Sequence, residues 1–321
     1  MRLPRLPRLP RRPSRLIAAL LLGVTAPLIL PACEEVETAT PGDPNRPGDR
    51  VVAVSNHPLE VFASRIGGDH VVIDWRIPDD VDPAFWRPTA DDIAAMQQAD
   101  VILLNGATYE KWLPTASLPS ARTTDTCAAV TDRLIETDGP VHAHGPDGEH
   151  SHAGVAFTTW LDPEIAIAQA TAVRDALVKA SPQHQQDFDA QYGLLVREIQ
   201  ERFAGVEQAI NAAPDTPVIF SHPVYQYLAR RFGMNGRTVH WEPDAEPDAA
   251  QLAELDALLA EFPATWFIWE GEPLPESVEL LKSKGLRSVV FAPSGNRPET
   301  GDLLDAIAAG EAALRQVYGA D

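Results

Sequence analysis

The sequence predicts an α/β protein with two Rossmann-like (βα) lobes, each built on a parallel sheet, joined by one long spine helix with a ligand cleft between the lobes. Three patterns lead to this fold class. Short apolar runs alternate with helix-like segments along most of the chain, which is typical of parallel sheets. The apolar run VILLN at 101–105 resembles a strand buried on both faces. A segment without internal proline extends from Ser181-Pro182 to about Ala213, too long for an ordinary crossover.

Residues 1–33 have the pattern of an export signal. Arginines are concentrated at the start, and the apolar stretch that follows, of about 15 residues, is shorter than the roughly 20 needed to cross a bilayer. The sequence Leu30-Pro31-Ala32-Cys33 resembles a bacterial lipobox, with Pro31 as a departure from it. We therefore expect a lipoprotein signal peptide, lipidation of Cys33, and anchoring to a membrane in the periplasm or at the cell surface. Ordinary signal cleavage near Ala32 is the alternative.

The remaining chain divides into four predicted segments. Residues 34–50 are rich in proline, glycine and acids, which predicts a disordered tether. An N-terminal α/β lobe is expected at 51–181, a connecting helix at 182–213 and a C-terminal α/β lobe at 214–321. The elements predicted along the lobes include a helix capped by Thr89.

Composition limits the classes of partner and of stabilising bond. A net charge of −20 argues against nucleic acid as a partner and is compatible with cations. If Cys33 is lipidated, Cys127 is the only thiol left, so no intramolecular disulfide can form. The sequence contains no HExxH, GxSxG or Walker A pattern and no GxGxxG after a strand, so we expect a protein that is not an enzyme.

Candidate metal ligands stand where predicted strands end. Because the carboxyl ends of parallel strands border the binding crevice, side chains at these ends should face a common ligand. Imidazole and carboxylate together suit Zn²⁺, whereas Mn²⁺ would favour more oxygen. Each residue alone could equally be structural, but their recurrence in both lobes favours a shared site. The predicted ligands are His57, His222, His240 and Glu270.

A histidine-rich loop at 142–152 is a second candidate for metal capture. Its polar, glycine-containing sequence could wrap a cation without fixed geometry, and a solvated linker without a metal role is the alternative. The imidazoles of this auxiliary loop belong to His142, His144, His150 and His152.

Five segments carry a resemblance to a known family: 67–69 (GGD), Asp82-Pro83 followed by 87–92 (RPTADD), 99–106 (ADVILLNG), 160–163 (WLDP) and 221–228 (SHPVYQYL). On these segments the chain resembles the metal-binding substrate-binding proteins of ABC transporters, the periplasmic or surface-anchored receptors for zinc and manganese. The resemblance covers Val51 to about Tyr318. It implies two lobes bridged by a long helix, a divalent metal bound between them, most often Zn²⁺ with Mn²⁺ as the alternative, and delivery to an ABC permease. We expect a monomer.

The resemblance transfers the family's metal ligands only in part. His222 matches one family histidine, but Ala84 and Thr158 stand at the places of two others, and Ala292 falls where the family has a carboxylate. We therefore expect a divergent member with a relocated site formed by the four strand-end residues named above. Two alternatives stay open: a metal-free scaffold acting as an adhesion or interaction lipoprotein, and a receptor for a metal chelate or other small molecule contacted by Trp86, Trp241 and Trp269.

Overall fold

The structure is a computed structural model that describes residues 49–79, 81–143 and 149–319. The predicted signal peptide, the lipidation site Cys33 and nearly all of the predicted tether lie outside the described residues. Among the helices of the described part, none combines the length and the apolar character that crossing a bilayer requires.

The N-terminal half contains a four-stranded parallel sheet with the strand order β2-β1-β3-β4. Its strand at 101–104 is buried at every position, as the apolar run at 101–105 predicts. The strands are β1 (Arg50–Val54), β2 (Val71–Asp74), β3 (Val101–Leu104) and β4 (Thr123–Asp125), and the first two helices are α1 (His57–Gly67) and α2 (Ala90–Met96).

Local capping explains where these two helices begin and end. The Asn56 side chain accepts a hydrogen bond from the Leu59 backbone N–H at the start of α1, and Gly68, with φ of 51°, follows its last residue. At α2, Thr89 and Asp92 form a reciprocal capping box, which confirms the cap predicted at Thr89.

A hairpin interrupts the α/β alternation. Strands β5 (Glu136–Ala143) and β6 (Glu149–Val155) pair antiparallel, with the backbone of His142 opposite that of His150. The sequence predicts a loop at 142–152, because the segment lacks apolar alternation. His144 lies outside the described residues, so the proposed capture role of the loop stays a prediction.

Two long helices follow the hairpin, α3 (Pro163–Ala180) and α4 (Gln185–Asn211). At 27 residues, α4 is the long helix that the sequence predicts, although a separate 3-10 turn at Pro182–His184 precedes it. It packs against α1 and α3 on one side and against α8 (Leu303–Tyr318) on another. The spine is therefore a packed element of the core.

The C-terminal half contains a second four-stranded parallel sheet, in the order β10-β9-β7-β8. This arrangement confirms the predicted fold class of two parallel sheets and one long helix. The strands are β7 (Val218–Phe220), β8 (Gly236–Thr238), β9 (Trp266–Trp269) and β10 (Arg287–Val290), and the intervening helices are α5 (Gln226–Phe232), α6 (Ala249–Glu261) and α7 (Pro275–Ser283).

One apolar cluster runs through both halves. It joins Val52 of β1, Phe203 of α4 and Phe291 beyond β10, so the two sheets share a core through the helices between them. A separate cluster covers the other face of the second sheet and includes Trp241 and Trp269. Both indoles are at most 1% exposed, so they pack within this cluster and do not line an open crevice for a small molecule.

Candidate metal centre

Three neighbouring strands of the second sheet end at one place. The central strand β7 is followed by Ser221 and His222, and β9 on one side is followed by Glu270. On the other side, the chain beyond β8 continues beside β7, where the Trp241 N–H donates to the Ser221 carbonyl at 2.8 Å. This hydrogen bond places the next residue, Glu242, at the same edge of the sheet. The carboxyl ends of three adjacent parallel strands thus bring one imidazole and two carboxyls together.

The distances among these side chains suit a metal ion. His222 Nδ1 lies 3.5 Å from Glu242 Oε1 and 3.7 Å from Glu270 Oε1. One ligand atom from each of the three residues falls within 4.8 Å of the others. A tetrahedral ion with ligands at about 2.0–2.2 Å holds its ligand atoms roughly 3.3–3.6 Å apart. Small side-chain rotations would therefore bring the three atoms into coordination distance.

Ser221 fixes the backbone around the site. It is fully buried, and its N–H donates to the Ile268 carbonyl at 2.9 Å. Its hydroxyl accepts a hydrogen bond from the Glu270 backbone N–H at 3.1 Å. This exchange ties the ends of β7 and β9 together, so the carboxyl of Glu270 and the imidazole of His222 start from rigid positions.

The carboxyls of the site are crowded. Burial raises the pKa of Glu270 well above its ordinary value, and the charges of Glu242 and Asp82 raise it further. Burial likewise raises the pKa of Glu242 to about 7, with added contributions from Asp244 and Asp82. A bound cation would relieve both the desolvation and the mutual repulsion of these groups.

Asp82 contributes to the site from the N-terminal half. It belongs to the segment between β2 and α2, and the Ala84 backbone N–H donates to its Oδ1 at 2.9 Å. The residue as a whole is exposed, but its carboxyl lies toward the protein, where burial raises its pKa. Its charge acts on both glutamates of the second sheet. The candidate site is therefore bordered by both halves of the chain.

The sequence-predicted ligands are only partly brought together. His222 and Glu270 are members of the cluster, and the His240 ring lies beside it, with its centroid 5.7 Å from that of His222. His57 is engaged elsewhere: its Nδ1 is 3.0 Å from Glu60 Oε2, and its backbone N–H donates to the Gly295 carbonyl at 2.9 Å.

Glu242 and Asp82 are acidic residues of the site that are not among the predicted ligands. Glu242 stands two residues after His240, a spacing that returns an extended chain to the same face. Asp82 is the acid of the Asp-Pro pair that carries the family resemblance. Both signals were present in the sequence, and Glu242 directly follows the predicted strand 237–241, at whose end the prediction selects His240.

The places of the absent family ligands serve packing and contacts between the halves. Ala84 is fully buried. The Thr158 hydroxyl donates to the Val224 carbonyl at 2.5 Å. Just beyond Ala292, the Pro293 carbonyl accepts a hydrogen bond from the Trp160 indole at 2.7 Å. A ligand at any of these places would have to displace an existing contact.

Comparison with known proteins identifies the family of this chain. The sequence model of the family described as "Zinc-uptake complex component A periplasmic", ZnuA, matches residues 52–315. The high-affinity zinc uptake system protein ZnuA of Bacillus subtilis strain 168 is 27% identical over 234 residues, which cover 71% of this chain and 72% of that protein.

The zinc-binding lipoprotein AdcA of Streptococcus pneumoniae strain R6 is 24% identical over 282 residues, or 86% of this chain. The match spans 54% of AdcA, so this chain corresponds to about half the length of that relative. The crystal structure of Zn(II)-bound AdcA from Streptococcus pneumoniae superposes with a TM-score of 0.73 at 20% identity, covering 84% of this chain and 58% of AdcA. At such low identity this likeness bears on the fold alone.

These matches confirm the resemblance drawn from the sequence, and they concern a component of an uptake complex, a class defined by transport and not by catalysis. Because the family model spans nearly the whole described chain, the protein belongs to the ZnuA family.

Proposed function

We propose that this protein captures a divalent transition-metal ion at the carboxyl end of its second sheet and delivers it to an ABC permease. Zn²⁺ is the foremost cargo and Mn²⁺ the alternative. The proposal rests on one observation above all: an imidazole and two largely buried carboxyls from three adjacent strand ends lie within 4.8 Å of one another. The matched ZnuA and AdcA proteins are named for zinc, which is why we expect zinc as the cargo.

The ligand set differs in character from the histidine-rich set that the resemblance implies. One nitrogen from His222 and carboxylate oxygens from Glu242 and Glu270, with Asp82 nearby, form a harder site. Zn²⁺ accepts nitrogen and carboxylate ligands, whereas oxygen-rich sites also suit Mn²⁺. We therefore expect zinc to bind more tightly than manganese, by a narrower margin than in a site built mainly of imidazoles.

The cellular setting is part of the same proposal. Cys33 would carry a lipid anchor, residues 34–50 would act as a tether, and the body would work as a monomer in the periplasm or at the cell surface. Within that body, the divisions at 51–181, 182–213 and 214–321 remain our proposed domains. The relative AdcA is itself named a lipoprotein, which supports the anchor.

Isothermal titration calorimetry of the tag-free protein tests metal capture. We expect zinc to bind the wild type, and His222→Ala and Glu270→Gln each to weaken that binding at least tenfold, because each removes a ligand from a small set. His57→Ala is the informative contrast, since His57 is paired with Glu60 and should leave zinc affinity unchanged. Equal zinc affinity in the wild type and His222→Ala would refute this site.

A further inference from the structure

A second cluster of metal-ligating side chains lies where the spine helix begins. His70 closes the 3-10 turn Gly68–His70 after α1, His184 ends the turn before α4, and Asp187 is in the first turn of α4. His70 and Asp187 are 117 residues apart in sequence. The cluster shares no residue with the candidate metal centre at the second sheet.

The three side chains are in close contact. His70 Nε2 lies 3.1 Å from Asp187 Oδ2, and the rings of His70 and His184 stack with centroids 3.8 Å apart and planes 17° from parallel. One ligand atom from each residue lies within 4.8 Å of the others. The buried Phe188 ring meets both imidazoles edge-on, at 5.8 and 6.2 Å, and forms an apolar floor beneath them.

We propose that His70, His184 and Asp187 form a second binding site for a divalent transition metal of the zinc class. Two imidazoles and one carboxylate are a common zinc ligand set, with the remaining position left to water. The His70 and Asp187 ligand atoms are already near the roughly 3.3–3.6 Å separation of a tetrahedral site.

Completing the site requires the stacked rings to tilt, because the nitrogen lone pairs of parallel rings do not converge on one point. This movement meets little resistance. The side chains of His70 and Asp187 are 31% and 64% exposed, and the turn that carries His184 lies at the protein surface. The buried Phe188 limits the movement to a rotation of the rings above it.

Such a site would connect the turn after α1 to the first turn of the spine helix. A metal bound there would hold two segments distant in sequence, and so would stabilise the folded state by an amount that grows with the logarithm of the free metal concentration above Kd. Because the two clusters are separate, the second site is independent of the proposed cargo site. Its loss should leave cargo binding intact.

Zinc titration of the full tag-free chain tests the second site in a variant that lacks the other candidate zinc ligands, namely His222 of the cargo site and the histidines of the loop at 142–152. This background variant carries His222→Ala, His142→Asn, His144→Asn, His150→Asn and His152→Asn. We expect it to retain one zinc per chain. Adding either His184→Gln or Asp187→Asn should weaken the remaining binding at least tenfold. The exposed Asp215→Asn, which removes one surface charge outside the cluster, should leave it unchanged.

Two further measurements keep the test decisive. Circular dichroism without metal verifies that each variant folds. If His184→Gln does not fold, Asp187→Asn still tests the site, because Asp187 is exposed and its replacement should not disturb the fold. Absorption of Co²⁺ bound to the same background should carry the bands of a tetrahedral site and lose them in Asp187→Asn. Unchanged zinc stoichiometry and affinity in both added variants, or a background that binds no zinc, would overturn the second site. Either result leaves the proposed function standing, because its own test is His222→Ala in the otherwise native chain.

Discussion

His222 Nδ1 lies 3.5 Å from Glu242 Oε1, although the sequence places the glutamate twenty residues away in an acidic, proline-containing loop. The contact arises because the chain beyond β8 continues beside β7, where the Val239 N–H donates to the Phe220 carbonyl at 3.0 Å. The acidic loop therefore begins as an extension of the sheet. Its first carboxyl, that of Glu242, faces the site and is partly exposed to solvent.

Glu242→Gln should weaken metal binding while stabilising the metal-free protein. The substitution removes a largely buried charge that raises the pKa of Glu270, so the folded state without metal should gain about 1 kcal/mol. Replacing a residue that only hydrogen-bonds to a metal ligand lowers metal affinity by roughly tenfold or more. Glu242 is itself a proposed ligand, so zinc affinity should fall by more than tenfold. Urea denaturation without metal and calorimetry with zinc measure the two effects. Glu246→Gln, an exposed acid of the same loop, should change neither.

Zinc should raise the melting temperature through the cluster at the second sheet. At a free concentration about 100 times Kd, a ligand stabilises the folded state by about 2.7 kcal/mol. For a chain of this size, that corresponds to about 5 °C. His222→Ala should reduce this shift to the part that the second site contributes. His57→Ala should lower the melting temperature without metal, because it breaks the contact with Glu60, but should keep the zinc shift. Loss of the shift in His57→Ala would restore His57 as a ligand.

The fold could be predicted from the sequence because its signals are local. Apolar runs such as 101–105 read directly as buried strands, and Thr89 with Asp92 reads as a cap. The hairpin β5–β6 could not be read in the same way. Its strands lack the apolar alternation that marks a half-buried strand, and the chain around 142–152 is polar on both sides of the turn.

The site was predictable in part. Glu270 directly follows β9 and His222 stands two residues beyond β7, and the structure brings them together. His57 also follows an apolar run, but it begins helix α1 and contacts a glutamate one turn further along. Which strand ends become neighbours depends on the order β10-β9-β7-β8, and sequence periodicity does not contain that order.

Thr158→Val should destabilise the protein by removing a contact between its two halves. The Thr158 hydroxyl donates to the Val224 carbonyl at 2.5 Å, and both residues are buried. Leaving a buried carbonyl without its donor costs about 1–3 kcal/mol. Urea denaturation of the metal-free protein measures the loss. Thr158→Ser keeps the hydroxyl and should recover most of the stability, and equal losses in both variants would point to packing and not to the hydrogen bond.

Glu110 should make stability fall as pH rises toward neutrality. Burial raises its pKa from the ordinary 4.5 to about 7, although hydrogen bonds from Ser55 and from the backbone of Asn105 and Gly106 favour the ionised form. Because the folded-state pKa exceeds the unfolded one, the contribution is fully present below about pH 4.5 and is lost as pH rises through about 7. The difference amounts to about 3 kcal/mol.

Urea denaturation of the wild type and Glu110→Gln across this window isolates the contribution of Glu110. The amide cannot ionise, so the free energy of unfolding of the variant should decline less between about pH 5 and pH 8 than that of the wild type. A constant offset between the two proteins would reflect altered hydrogen bonding alone, and only a difference in slope reports the titration of Glu110. Glu254→Gln, an exposed position on α6, should follow the wild-type slope. Parallel slopes for the wild type and Glu110→Gln would show that Glu110 is ionised in the folded protein throughout, with its three donors outweighing the cost of burial.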